Sequence, residues 1–172
     1  MNNNDRLLRL RYAIDSKDTD LIEAFELGGI TITKDELRDM LTKVKPASQD
    51  GDNVYVRPID NQELDAFFNG FIILKRGPQK NKPVEEIPTQ SKEIKYINNV
   101  LLKKVKIALF LTSEDMLAIL AEAKVYPSKG ELGAILRKEG HRNFKPCGDK
   151  YTRNFLKGLG LVYRNEENRQ NR

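Results

Sequence analysis

The sequence predicts an all-α protein, a tandem duplication of a four-helix repeat packed into one body, and three observations carry that expectation. The first is a repeat. Asn4, Leu7, Ala13, Asp20, Lys34, Glu36, Leu37, Leu41 and Lys43 return without a gap, 95 positions on, as Asn99, Leu102, Ala108, Asp115, Lys129, Glu131, Leu132, Leu136 and Lys138. Arg11 with Lys106, Leu21 with Met116, Ile30 with Val125 and Thr33 with Ser128 are conservative pairs in the same register. The second is periodicity, with apolar residues spaced three or four apart between short polar breaks. The third is an echo near the end of each copy: Phe67-Phe68-Asn69-Gly70-Phe71 reappears as Phe155-Leu156-Lys157-Gly158-Leu159.

The elements follow in order. Residues 5–16 place Leu7, Leu10, Ile14 and the ring of Tyr12 at helical spacing, with Arg6, Arg9 and Asp15 between them. A second helix carries Leu21, Ile22, Ala24 and Phe25 and stops at Gly28-Gly29, since glycine accepts the left-handed conformation common at helix C-termini. Thr33-Lys34-Asp35-Glu36 is a capping-box pattern opening a third helix with Leu37, Met40, Leu41 and Val44 as its stripe. Lys45 to Asp60 reads as a loop, with Val54-Tyr55-Val56 at most a short strand. The fourth helix spans about Asn61 to Lys75, and Gly70 inside it is expected to admit a neighbouring helix.

Pro78, Pro83 and Pro88 mark a linker over residues 78–95, between a first repeat of residues 1–77 and a second of residues 96–164. The second repeat runs from about Tyr96 to Phe110, Ser113 to Ala123 and Lys129 to Lys138. A loop, Glu139 to Gly148, then leads to a last helix with Phe155, Leu156, Leu159 and Val162. Its first helix is apolar most of the way round, so it is expected to pack against both repeats. Residues 165–172 are polar and are expected to fray as a disordered tail.

With 39% apolar and 32% charged residues the chain suits a globular protein. No apolar run reaches the ~18 residues of a spanning helix, and the N-terminus lacks a secretory signal pattern. One cysteine, Cys147, fits a reducing compartment, so a cytoplasmic protein is expected. Residues 1–97 hold 15 Lys/Arg against 17 Asp/Glu, and residues 98–172 hold 15 against 8, so the net charge of +5 resides in the second half. Such asymmetry points to an anionic partner for that half.

The motif residues Asn98-Asn99, Leu102-Lys103-Lys104 and Lys106-Ile107-Ala108, with His141-Arg142-Asn143-Phe144-Lys145-Pro146-Cys147-Gly148-Asp149, resemble the YehS-like family of small bacterial proteins. Arg11-Tyr12, Asp20 and Phe68-Asn69-Gly70 are similar to that family's N-terminal repeat. Lys150 stands where the family more usually has Gln, and Thr152 where it has an apolar residue. The resemblance implies the all-helical duplication and no particular activity, because the family carries none that is established.

Catalytic signatures are weak. Asp20 and Asp115 share a repeat position, but a carboxylate in the first helical turn is accounted for by the helix dipole. His141, Cys147 and Asp149 fall short of a usual four-ligand zinc site. A Cys–His thiolate is conceivable before a helix, although cysteine more often simply packs. Gly158-Leu159-Gly160 fails the dinucleotide pattern, and no Walker loop, His-Glu-x-x-His or Gly-x-Ser-x-Gly is present. The reading is therefore no enzyme, no metal and no cofactor.

The functional lead is a basic cluster, Arg137, Lys138, Arg142, Lys145, Lys150, Arg153 and Lys157, joined by Asn143 and interleaved with Phe144 and Tyr151. Cations with an aromatic or two suit a surface that tracks a nucleic-acid backbone; a solvated surface over core aromatics is the plainer alternative. Sequence-specific helix–turn–helix binding is disfavoured, since Lys34 to Met40 is acidic and Gly130 and Gly133 dilute its counterpart. The expectation is a non-enzymatic binding module that engages RNA or a ribonucleoprotein surface through the second repeat. The alternative is a protein–protein adaptor or homodimeric regulatory protein without nucleic-acid binding.

Overall fold

The computed structural model describes residues 1–45, 51–78 and 93–170. Most of the expected linker and the middle of the 45–60 loop lie outside the described residues. Eight helices are found there: α1 (Asn3–Ile14), α2 (Asp18–Leu27), α3 (Lys34–Leu41), α4 (Asn61–Arg76), α5 (Ile97–Ala108), α6 (Ser113–Glu122), α7 (Lys129–Leu136) and α8 (Asp149–Gln170). Besides these there is one antiparallel pair, β1 (Lys43–Lys45) with β2 (Val54–Tyr55), Lys43 opposite Tyr55. The fold is all-α.

Capping chemistry places the helix starts. Thr33 Oγ1 accepts from the Glu36 amide and Ser128 Oγ from that of Glu131, both at 3.1 Å. Asp115 and Thr112 cap each other reciprocally, and Asp20 accepts from the Lys17 amide, so both aspartates serve their helix N-termini. Asp60 caps α4 through the Glu63 amide at 2.8 Å.

Each half packs its second helix on its fourth, α2 on α4 and α6 on α8. Glycines set how closely. A Cβ on Gly70 would lie 1.6 Å from the Ala24 carbonyl oxygen, and one on Gly158 would lie 2.0 Å from that of Ile119. The expected role of Gly70 holds, and Gly158 repeats it. Phe25 rests on Phe67 at 5.0 Å between ring centroids, and Phe67 stacks on Phe71 at 5.9 Å. Each such fully buried side chain contributes roughly 1.5–3 kcal/mol.

The first helices do not stay with their own halves. α1 packs on α8 and α5 on α4, so each half lays its first helix along the other's last, and one core runs through all of them. The α1/α8 seam is parallel: Arg6 meets Asp149 at the start of α8, and Tyr12 meets Arg164 far along it. α5 lies on α4 the same way, with Lys104 at Asp65 and Ile107 at Arg76.

Buried asparagines tie each half together. Asn4 Nδ2 donates to the carbonyls of Met40 and Arg57, and its Oδ1 accepts from the Ile59 amide. Asn99 treats Ile135, Lys145 and Cys147 identically, at 3.0, 2.8 and 2.8 Å. Asn3 holds Ile59 O and Asn61, as Asn98 holds Cys147 O and Asp149. Buried polar groups demand such partners, so these side chains lock the end of the third helix and the approach to the fourth.

Several expectations are corrected. Arg6, read as an outward charge, is only 7% exposed; burial is affordable because all three of its donor nitrogens find acceptors. Tyr12, counted on the apolar side of the first helix, is 64% exposed, since the inward positions are Leu7, Leu10 and Ala13. Val44 belongs to β1 and is exposed, because α3 ends at Leu41. Phe110 lies beyond α5 in a left-handed turn at φ 57° and is 63% exposed. α8 continues past the last apolar position to Gln170, where fraying was expected, as no Pro or Gly follows Gly160 to stop it.

Gly158→Ala is expected to force α6 and α8 apart and destabilise the protein by about 1–3 kcal/mol or more. Gly133→Ala, with nothing within 4 Å of the added Cβ, is expected to stabilise by about 0.5–1 kcal/mol; urea melts of both compare them directly. Asn99→Ala orphans three backbone groups at ~1–3 kcal/mol each, so its melting temperature should fall well below that of an Asp115→Ala variant, which loses a cap worth about 1 kcal/mol.

Candidate nucleic-acid interface

The basic residues divide between a loop and a helix. The loop after α7 is a series of turns: the His141 amide donates to Lys138 O, the Phe144 amide to His141 O and the Asn143 amide to His141 Nδ1. The Lys145 amide then returns to Ala134 O, and the carbonyls of Lys145 and Cys147 are held by Asn99 and Asn98. With its backbone so fixed, the loop leaves Arg137, Lys138, Arg142, Asn143 and Lys145 exposed. Phe144 is half-buried, edge-on to Tyr96 at 5.1 Å between centroids, so it anchors the loop.

Lys150, Arg153 and Lys157 follow at helical spacing along one stripe of α8, which continues through Leu161 to Arg164. Lys150 and Lys157 are exposed and Arg153 is half-buried. Among the described residues, none of the seven cations of the cluster forms an ion pair. The nearby carboxylate of Asp149 is occupied elsewhere. Asp149 accepts from Asn98 at 2.8 Å and from Arg6 at 3.1 Å; the Asn98 hydrogen bond, with the Met1 amine and Arg6 charges, holds its carboxyl below the ordinary range.

Asp149 therefore belongs to the Arg6 network and not to a metal or thiol site. Cys147 is buried, its Sγ 3.5 Å from Thr152 Oγ1, and burial pushes its thiol pKa up. Thr152 is fully buried and also donates to Gly148 O at 3.1 Å. His141 uses Nδ1 to accept from the Asn143 amide and is exposed. Among the described residues no group of three His, Cys, Asp or Glu side chains could hold a metal ion, and no helix is long and apolar enough to cross a membrane.

Beside the loop lies an open cavity of about 420 Å³, lined among others by Tyr126, Pro127, Lys145, Pro146, Cys147 and Tyr151. Tyr126 is 74% exposed there. The Tyr151 hydroxyl is buried without a hydrogen-bond partner, and burial pushes its pKa up to about 12. Tyr151 is thus partly core, and Tyr126 is the solvent-facing aromatic that the reading of the sequence missed. Periodicity marks buried positions and gives no signal for an isolated aromatic between a helix end and a proline.

A second oversight is on α1. Arg9 and Tyr12 border α8 in a hollow shared with Leu8, Leu156 and Lys157, so the first half reaches into the basic stripe. Only the parallel packing of α1 on α8 brings them there.

The model of a family described as "Protein of unknown function (DUF1456)" matches residues 3–77 and 98–165, the α1–α4 and α5–α8 segments. The "Uncharacterized protein YehS" of Escherichia coli (strain K12) is 35% identical over 159 residues, covering 92% of this chain and 94% of that protein. No solved structure matches the chain. With most of its length matched in two segments, the chain belongs to the DUF1456 family.

Proposed function

We propose that the protein is a non-enzymatic binding module of the cytoplasm whose basic second half engages RNA or a ribonucleoprotein surface. One observation carries the reading: Arg137, Lys138, Arg142, Lys145, Lys150, Arg153 and Lys157 are gathered on one loop and one helix stripe with no carboxylate paired to any of them among the described residues. Exposed unpaired cations that neutralise phosphates release the counterions condensed on the nucleic acid, at a gain in entropy. Exposed Tyr126 beside Lys145 supplies an aromatic face of the kind that unstacked bases occupy.

A thiol enzyme is the poorer reading, because burial raises the Cys147 pKa and its Sγ hydrogen-bonds Thr152 and Gly148 and not His141. A protein-binding role draws support from a different place, the exposed Val44 and Val54 on the two-stranded β pair and Val56 just after it.

Single-stranded RNA should be retarded by the protein in gels at low salt, with log K falling linearly against log salt. Arg142→Gln combined with Lys145→Gln should lessen that slope by about 1.4, or about 0.7 per lost phosphate contact. RNA that migrates unretarded at low salt, alongside protein purified free of 260 nm absorbance, sinks the reading. Iodoacetamide should label Cys147 slowly in folded protein at pH 7 and quickly in urea; rapid labelling of the folded form would reopen the thiol chemistry.

A further inference from the structure

The two cross-half seams have the same register and opposite electrostatics. Arg76 donates to Ile107 O at 2.9 Å across α4/α5, and Arg164 donates to Tyr12 O at 3.1 Å across α8/α1. These bonds are equivalent: Ile107 is the counterpart of Tyr12, and Arg76 and Arg164 each stand six residues past the glycines Gly70 and Gly158. In the α4/α5 seam, Lys104 donates to both Asp65 and Asn69, so one cation is neutralised by one carboxylate and one amide. The counterpart of Lys104 on α1 is Arg9. The counterparts of Asp65 and Asn69 on α8 are Arg153 and Lys157. Three cations stand in register where the other seam has a bridge.

Among the described residues none of the three forms an ion pair, and the charge of Arg9 reaches Asp5 only through space. Asp5, one turn before Arg9, accepts at Oδ1 from the Tyr55 hydroxyl at 2.6 Å and from Asn53 Nδ2 at 2.9 Å. Asp149, one turn before Arg153, is held by Arg6 and Asn98. Like charges brought together by helix packing repel unless an external anion joins them.

Arg9 and Lys157 line a hollow of about 440 Å³ whose apolar walls come from Leu8, Tyr12 and Leu156. Its size lies within the ~300–1,000 Å³ of small-ligand sites. The Tyr12 ring is held from one side by the Arg164 guanidinium, 3.7 Å from its centroid. A fixed, solvent-facing aromatic with aliphatic neighbours accepts a flat base, and the cations at its rim accept a phosphate.

We propose that the α1/α8 seam binds one nucleotide of a single-stranded RNA, its base against Tyr12 and Leu8 and its phosphate at Arg9, Arg153 and Lys157. This rests on the RNA reading above and adds to it: the first half, acidic overall, contributes Arg9 and Tyr12. The charge argues for phosphate, since Arg9 and Lys157 line a hollow too small for a folded domain and Arg153 precedes Lys157 by one turn on the same stripe of α8.

The chain contains no tryptophan, so Tyr12→Trp makes the site its own reporter. Titration of that full-length variant with a 12-nucleotide oligouridylate should quench its emission at the concentrations that produce retardation in gels. Arg9→Gln in the native background should weaken binding at least about fivefold and lessen the salt slope by about 0.7, with an unchanged melting temperature. Tyr12→Ala should cost about tenfold or more. Retardation without quenching, together with Arg9→Gln binding like the parent, overturns this site and leaves the RNA reading in place. Absence of retardation at low salt overturns both. Quenching by a polyglutamate peptide at equal ionic strength, and none by the oligonucleotide, overturns the nucleotide in favour of an acidic protein partner.

Discussion

Everything in this molecule depends on two pairs of buried asparagines that open α1 and α5. Asn4 and Asn99 each satisfy two carbonyls and one amide of their own half, joining the end of the third helix to the segment before the fourth. Asn3 and Asn98 present their side-chain oxygens to Arg6, which donates to both at 3.0 and 2.8 Å and then to Asp149. A buried guanidinium is tolerable only where its donors are answered, and the answer comes from both halves at once. The network thus specifies the relative placement of the halves more than it adds stability.

That placement explains why the first helices cross over. α1 and α5 are short, and each presents an apolar side too large for its own half to cover. Laying each along the other half's last helix buries both sides in a shared core. Because α5 runs parallel to α4, the chain between them must return the length of α4, about 24 Å for 16 residues at 1.5 Å each. A tight turn cannot do that. A long connection is thus demanded by the packing, whatever its composition.

The equivalent positions then show where the halves part. Asp60 caps α4, while Gly148 stands at the corresponding place before α8. Asp65 and Asn69 become Arg153 and Lys157. Each exchange removes an anion or adds a cation at the same surface without touching the core, where Phe67 and Phe155 remain fully buried. Charge can change at such positions because they border the core without entering it. The proposed role follows from this divergence, and it places the binding face along α8 and the loop before it.

The sequence by itself determined the helices and where several of them begin, because the N-cap patterns at Thr33, Thr112 and Ser128 are written within four residues. It likewise marked Gly70 as a point of close approach, since a glycine inside a helix costs stability, while the same role for Gly158 came from the structure. The loop cations were legible as charges. What only the tertiary structure decided is which residues far apart in the chain stand together. Arg6 with Asp149, Asn99 with Cys147, and Arg9 with Lys157 are pairs that no local period announces, since each depends on which half the first helix leans against. Composition marks Arg6 as a surface residue and Tyr12 as core; the crossing of α1 onto α8 reverses both, burying the charge among acceptors from two halves and turning the ring outward.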